Sequence, residues 1–204
     1  MSAVDRLVGE LRPHVRDERV LAAITRVPRE AFVPEKLRSR AYDNTALGID
    51  CGQTISQPLV VARMAALLEL QPDDRVLDVG TGSGYHAAIL AALARHVWSI
   101  ERHPDLSRTA GEALAHAGVA NVTLIVGDGC EGVPEQAPFD AINVAAAGGR
   151  DALATLEAQL ARGGRLVAPV TGHRQRLHVA RRGREAVSWR ELEEVRFVPL
   201  VRGD

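Results

Sequence analysis

The chain has 204 residues, 46% apolar and 25% charged, with a formal net charge of −1. That length suits one domain able to bury a full core, and the balance is that of a soluble globular protein with no bulk attraction to nucleic acid or an anionic membrane. Cys51 and Cys130 are too few for a disulfide framework and stand in no zinc-binding spacing, so free thiols in a reducing cytosol and no metal are expected. The first residues mix charge with apolar character (Asp5, Arg6, Glu10, Arg12) and lack the apolar run of a leader. The densest apolar stretch, 87–94, falls well short of the roughly 20 residues that span a bilayer. A cytoplasmic monomer is the expectation.

Taken in chain order, 4–11 and 18–25 have the spacing of short amphipathic helices. Val27-Pro28-Arg29-Glu30 and Phe32-Val33-Pro34 break that pattern, because proline cannot donate a backbone amide. A polar stretch, 42–57, follows, and Pro58 opens a helix that turns Leu59, Val60, Met64, Leu67 and Leu68 inward. From about residue 74 strands and helices alternate. Strands are expected at 75–79, 96–100, 122–126, 139–144 and 165–170. Helices are expected from the glycine turn to 95, over 104–118 and over 152–162, the last stopped by Gly163-Gly164. The segments 176–181 and 187–198 pattern as a closing antiparallel pair. The sum is an α/β chain, Rossmann-like and doubly wound. Its mostly parallel sheet ends in an antiparallel strand pair and carries an N-terminal helical extension. Residues 1–204 form one domain, with a helical and substrate-loop region over 1–70 and a ligand-binding core over 71–204. Ligands of such sheets sit at the carboxyl ends of the strands.

The sharpest local signal is Asp78-Val79-Gly80-Thr81-Gly82-Ser83-Gly84, where the first core strand turns into its helix. Glycines there permit a tight turn and let a ligand approach bare backbone. A dinucleotide site prefers GxGxxG, which seats a pyrophosphate on the helix N-terminus. Here the spacing is GxGxG with an acid two residues earlier. That suits S-adenosylmethionine, which has no phosphate and carries positive charge that Asp78 can meet directly or through water. Glu101 ends the second core strand, 21 positions after Gly80 (101 − 80), where an acid reaches both hydroxyls of an adenosine ribose. Asp128 and Gly129 follow the third core strand, placed to accept from the adenine amino group and to offer a backbone amide.

Gly52-Gln53-Thr54-Ile55-Ser56-Gln57-Pro58 resembles the signature of the protein-L-isoaspartate O-methyltransferases. The likeness continues in order through the Val27–Glu30 and Phe32–Pro34 segments, Gly80 to Tyr85, Gly127-Asp128-Gly129, Ala137–Asp140, Gly163-Gly164 and Phe197–Leu200. The resemblance implies methylation, with S-adenosylmethionine as cofactor, of the free α-carboxylate of L-isoaspartyl residues in damaged proteins or peptides. The ester then closes to a succinimide, whose hydrolysis returns some normal aspartate. It further implies that Ser56 is the active-site serine, that Thr54 and Ile55 line the cofactor and substrate, and that Asp78, Glu101, Asp128 and Gly129 bind the cofactor. The glycine-turn residues Gly80, Thr81, Gly82, Ser83 and Gly84 join the cofactor set.

The chemistry agrees with that set. A carboxylate is already a nucleophile, so the site must align it with a methyl group and strip its water, and Ser56 is expected to position rather than attack. An alternative role for Ser56 is to cap the helix after Pro58. His86 has the placement of a packed or solvated residue. Two departures stand out: Leu47-Gly48-Ile49-Asp50 where the family usually has LPIG, and Ala145 to Arg150 without the prolines common there. They bear on substrate preference, because Gly48 loosens the loop and Asp50 brings negative charge. Two other readings stand beside this one: a carboxyl methyltransferase for aspartate in one dedicated peptide or for a small acid, and a non-catalytic S-adenosylmethionine-binding module.

Overall fold

The computed structural model describes residues 1–203. Two amphipathic helices, α1 (Ala3–Leu11) and α2 (Glu18–Arg26), open the chain. Ser2 and Asp5 close a reciprocal capping box on α1, and the Asp17 carboxylate accepts from the Arg19 amide on α2. Short 3-10 helices at Arg29–Phe32 and Glu35–Arg40 follow where the prolines fall. A short antiparallel hairpin comes next, β1 (Leu47–Gly48) with β2 (Thr54–Ile55). Its tip is tight: Cys51 and Gly52 both take positive φ, 55° and 67°, as a two-residue hairpin turn requires. Helix α3 (Pro58–Leu67) starts on its proline.

The core then alternates as β3 (Arg75–Val79), α4 (Tyr85–Ala91), β4 (His96–Glu101), α5 (Pro104–His116), β5 (Val122–Val126), β6 (Phe139–Val144) and α6 (Arg150–Ala158). It closes with β7 (Leu160–Val170), β8 (Arg176–Arg182) and β9 (Val187–Glu194). The seven strands order as β5-β4-β3-β6-β7-β8-β9, parallel through β7 and antiparallel after it. This is the expected Rossmann-like sheet with its antiparallel end. Alternation along the strands feeds two cores. Val76, Val97 and Ala141 pack with α1 to α4, while Leu77, Val79, Ile142 and Val144 pack with Leu153 and Leu156 of α6. Among the described residues no helix is long and apolar enough to cross a membrane.

Three regions depart most from the expected boundaries. The helix after the glycine turn ends at Ala91, and the last strand ends at Glu194. The largest change is at Gly163-Gly164, which does not stop a helix. Helix α6 has already ended at Ala158, and the glycine pair lies inside β7, where the register against β6 slips between Phe139 and Ala141. Gly163 sits at φ 79°, and a Cβ on Gly164 would come within 2.8 Å of the Ala161 carbonyl oxygen. Glycine is needed there because two backbones meet at an irregularity of the sheet.

The chain winds from β3 outward to β5, then crosses back to lay β6 on the other side of β3. The carboxyl ends of β3, β4 and β6 therefore border a crevice at the topological switch point.

Candidate active site

A hollow of about 290 Å³ fills that crevice. Its walls come from the turn after β3 (Gly80 to Ser83), Glu101 at the end of β4, Gly129, the hairpin residues Thr54 and Ile55 with Ser56, and the C-terminal segment Val198 to Val201. The C-terminal segment is tied down at Ala147, whose amide donates to the Val198 carbonyl at 2.8 Å and whose carbonyl accepts from the Leu200 amide at 2.7 Å. The FVPL run marked this segment in the sequence, but no local pattern could place it over the crevice.

Glu101 is 7% exposed and lies in the wall. One carboxylate oxygen accepts from the Gly82 amide at 2.9 Å and the other from the His103 amide at 3.0 Å. Each oxygen keeps further acceptor capacity for a ligand hydroxyl. Gly80 and Gly82 sit at φ 92° and 52°, which bends the turn and bares its backbone to the hollow. Gly129 leaves a gap no side chain could share: a Cβ there would lie 2.7 Å from Val79 Cγ1. Gly84 has another duty. It precedes α4 at φ 85°, stands outside the wall, and would bring a Cβ to 3.2 Å from the Ala110 side chain, so it lets α4 and α5 pack.

Asp78 also stands behind the wall, fully buried. Its carboxylate accepts from Ser99 Oγ and Asn143 Nδ2, both at 2.7 Å. Because Ser99 spends its hydroxyl proton on Asp78, Thr81 Oγ1, 2.7 Å away, must donate to Ser99. The chain of bonds pins the glycine turn from below. Burial pushes the Asp78 carboxyl up to about 6; the Asn143 and Ser99 bonds oppose the rise, and the Glu101 charge adds to it. Next to this chain, His86 is buried at the wall with Nδ1 3.2 Å from Asn143 Nδ2. Burial lowers its pKa to about 3, so the ring is neutral and accepts at Nδ1 with its proton on Nε2, a tautomer assigned from the bonding. Sequence reasoning placed His86 as a packed or solvated residue, of which it is the packed one, but passed over Asn143 and Ser99, whose strand positions carry no motif.

Asp128 does not line the hollow. Its carboxylate accepts from the Gly203 amide at 2.7 Å and the Cys130 amide at 2.8 Å, and the wall carries Gly129 instead. Ser56, half-buried, lies between the hollow and an adjoining groove of about 680 Å³, which share Thr54, Ser56, Ala145 and Val198. It does not cap α3: the N-cap is Gln57, and that helix start has no side-chain cap bond among the described residues. The Ser56 carbonyl accepts from Arg29 Nη2 at 2.9 Å, a contact the sequence gave no reason to expect. Asp50 sits at the hairpin tip beside Phe32, Pro34 and Ser83, outside both the hollow and the groove. Among the described residues no cluster of His, Cys, Asp or Glu could hold a metal ion.

The family model described as protein-L-isoaspartate(D-aspartate) O-methyltransferase matches residues 2–204. The chain belongs to this family. A protein-L-isoaspartate O-methyltransferase of Halorhodospira halophila is 54% identical over 206 residues, covering 98% of this chain and 91% of the relative. One from Paracoccus denitrificans is 50% identical over 191 residues, covering 93% and 88%. A solved protein-L-isoaspartate O-methyltransferase superposes with a TM-score of 0.87 at 27% identity, covering 96% of this chain and 65% of its own. A Plasmodium falciparum protein assigned to the same methyltransferases, solved with S-adenosyl-L-homocysteine, gives a TM-score of 0.82 at 25% identity, covering 97% and 98%. The residues around the hollow fit the cofactor of this methyltransferase family. Bare backbone at Gly80, Gly82 and Gly129 leaves room for a nucleoside, and Glu101 offers the acceptors that vicinal hydroxyls require.

Proposed function

We propose that this enzyme transfers the methyl group of S-adenosylmethionine to the free α-carboxylate of L-isoaspartyl residues in damaged proteins or peptides, which starts their repair through a succinimide. The observation that carries this reading is the continuity of two spaces across Thr54 and Ser56, one floored by Glu101 and the glycine turn, the other an open groove.

S-adenosylmethionine supplies an electrophilic methyl group on a sulfonium. Everything else falls to the chain's own residues. Glu101 would accept from the ribose hydroxyls, its rotamer fixed by the bonds from the Gly82 and His103 amides. The turn from Gly80 to Ser83 and Gly129 shape the hollow, and the Asp78–Ser99–Thr81 chain holds that turn still. Asp78 therefore supports the cofactor from behind, and Asp128 fixes the loop that presents Gly129. Thr54, Ile55 and Ser56 form the partition at which a carboxylate would be held against the methyl group, the Ser56 hydroxyl donating to orient it; the O–CH3 bond would form as the S–CH3 bond breaks and S-adenosylhomocysteine leaves. A carboxylate needs no base to become a nucleophile, and the neutral His86 adds no competing charge to the wall. Alignment of this kind is worth about 7–11 kcal/mol of barrier in the best cases.

The test is transfer of a radiolabelled methyl group to an isoaspartyl peptide and to its aspartyl twin. Base-labile label in the isoaspartyl peptide alone is the expected result. Label in neither peptide, or in the twin alone, would assign the site to another carboxylate.

A further inference from the structure

Arg29 is fully buried, yet no carboxylate pairs with it among the described residues. A guanidinium without a counter-ion in the interior is costly, and burial lowers its pKa to about 10. Its fork is spent on backbone. Nε donates to the Ala41 carbonyl at 2.8 Å and Nη2 to the Ser56 carbonyl at 2.9 Å, while Nη1 finds no partner among the described residues. The flat face of the same group lies over the Tyr85 ring, 4.8 Å from its centroid. Tyr85 is the first residue of α4 and stands in the wall of the hollow. One side chain thus touches the partition residue, the element that follows the glycine turn, and Ala41, which caps the 3-10 segment Glu35–Arg40.

We infer that Arg29 is a positioning residue for methyl transfer, setting the place of Ser56 relative to the cofactor turn by gripping the Ser56 carbonyl while braced on Tyr85. The inference rests on the positioning role of Ser56 proposed above. Lysine cannot reproduce the arrangement, because a single ammonium lacks the planar fork that reaches two carbonyls and stacks on a ring. A general loss of packing would weaken every function of the protein together. Loss of this grip moves Ser56 and leaves the Glu101 side of the hollow alone.

The experiment is a double-mutant cycle of Arg29→Lys and Ser56→Ala, with turnover of an isoaspartyl peptide and calorimetric affinity for S-adenosylhomocysteine measured on all four proteins. Arg29→Lys is expected to lower kcat about ten-fold in the wild-type background and less than about two-fold when Ser56 is already alanine, with cofactor affinity kept within about two-fold, since a displacement of an ångström can cost more than this and groups acting as one unit are not additive. Equal losses in both backgrounds would overturn the inference and leave Ser56 as proposed. Unchanged turnover in Ser56→Ala would overturn both. Should Arg29→Lys not fold, Tyr85→Leu removes the brace, and the same non-additivity with Ser56→Ala is required of it.

Discussion

Replacing Glu101 with glutamine separates two duties that the carboxylate performs at once. In the structure its two oxygens accept from the Gly82 and His103 amides, and on the proposed reading the same oxygens face the ribose hydroxyls. A glutamine has one oxygen, so one of those backbone donors must face an NH2 group instead. An unsatisfied buried donor costs about 1–3 kcal/mol, and this cost falls on the free protein. For a chain of this size it should appear as a fall in Tm of roughly 2–4 °C per kcal/mol. The second cost falls on binding. Exchanging a charged acceptor for a neutral one at one hydroxyl, and an acceptor for a donor at the other, should remove about 1.4–2.8 kcal/mol, a rise in Kd of about 10- to 100-fold. Titration calorimetry with S-adenosylhomocysteine reads the second term, and thermal denaturation without ligand reads the first. A lowered Tm with Kd unchanged within about two-fold would show that Glu101 only clamps the turn, and the ribose assignment would be wrong.

Ser56→Ala should lower kcat for an isoaspartyl peptide by about 1–2 orders of magnitude with cofactor affinity retained, as loss of one oriented donor predicts; undiminished turnover would remove the serine from the mechanism. Gly129→Ala should destabilise the protein by about 1–3 kcal/mol, because its Cβ would meet Val79 at 2.7 Å and Leu200 at 3.4 Å. Since Leu200 belongs to the covering segment, cofactor affinity should fall too, and a Tm equal to wild type would show that the strand yields. The pH dependence of His86→Gln tests the buried neutral ring. With a folded pKa of about 3 against 6.5 unfolded, the unfolded chain binds a proton that the folded chain refuses, so wild type should lose stability relative to the variant as pH falls below 6.5, by about 1.4 kcal/mol per unit. A stability difference independent of pH between 6.5 and 4 would mean the ring is reachable by protons.

The parts of the fold that were legible in the sequence are those fixed by local chemistry. Buried runs such as Val76 to Val79 and 139–144 can only be strands of a covered sheet, and the glycines after Val79 announce a turn before a helix. Pro58 and Pro104 sit at helix starts where their missing amides cost nothing. What failed was any residue whose meaning depends on a distant partner. Gly163-Gly164 has the composition of a helix stop, and only the slipped pairing with β6 makes it a strand irregularity. Asp128 follows β5 as expected, but no local pattern announces that the returning C-terminal segment supplies the Gly203 amide that engages it. Arg29 sits in a proline-flanked segment with no partner nearby, and its two acceptors lie 12 and 27 residues further on.

Asp78 shows what spacing alone leaves out. An acid two residues before the first glycine alternates to the face of β3 shared with Val76, so its side chain points under the turn, toward α4 and Asn143. Its folded pKa of about 6 lies above the ordinary 3.8, so the stability linked to it is present at low pH and lost as pH rises through 6. Keeping the carboxylate ionised at neutral pH therefore costs the fold on the order of 3 kcal/mol. A neutral side chain would escape that cost. An ionised one accepts from Ser99 and Asn143 together, which no amide could do in the same geometry, and through Ser99 it fixes Thr81 in the wall. It also adds a second negative charge beside Glu101, close enough that the Glu101 charge raises its pKa. On the proposed reading a sulfonium and an ammonium bind over this turn, and two carboxylates at its base offset their charge where water is excluded. On that reading part of the stability lost in the free protein would be recovered when the cation binds, and Asp78 would serve the cofactor through rigidity and field from behind the wall.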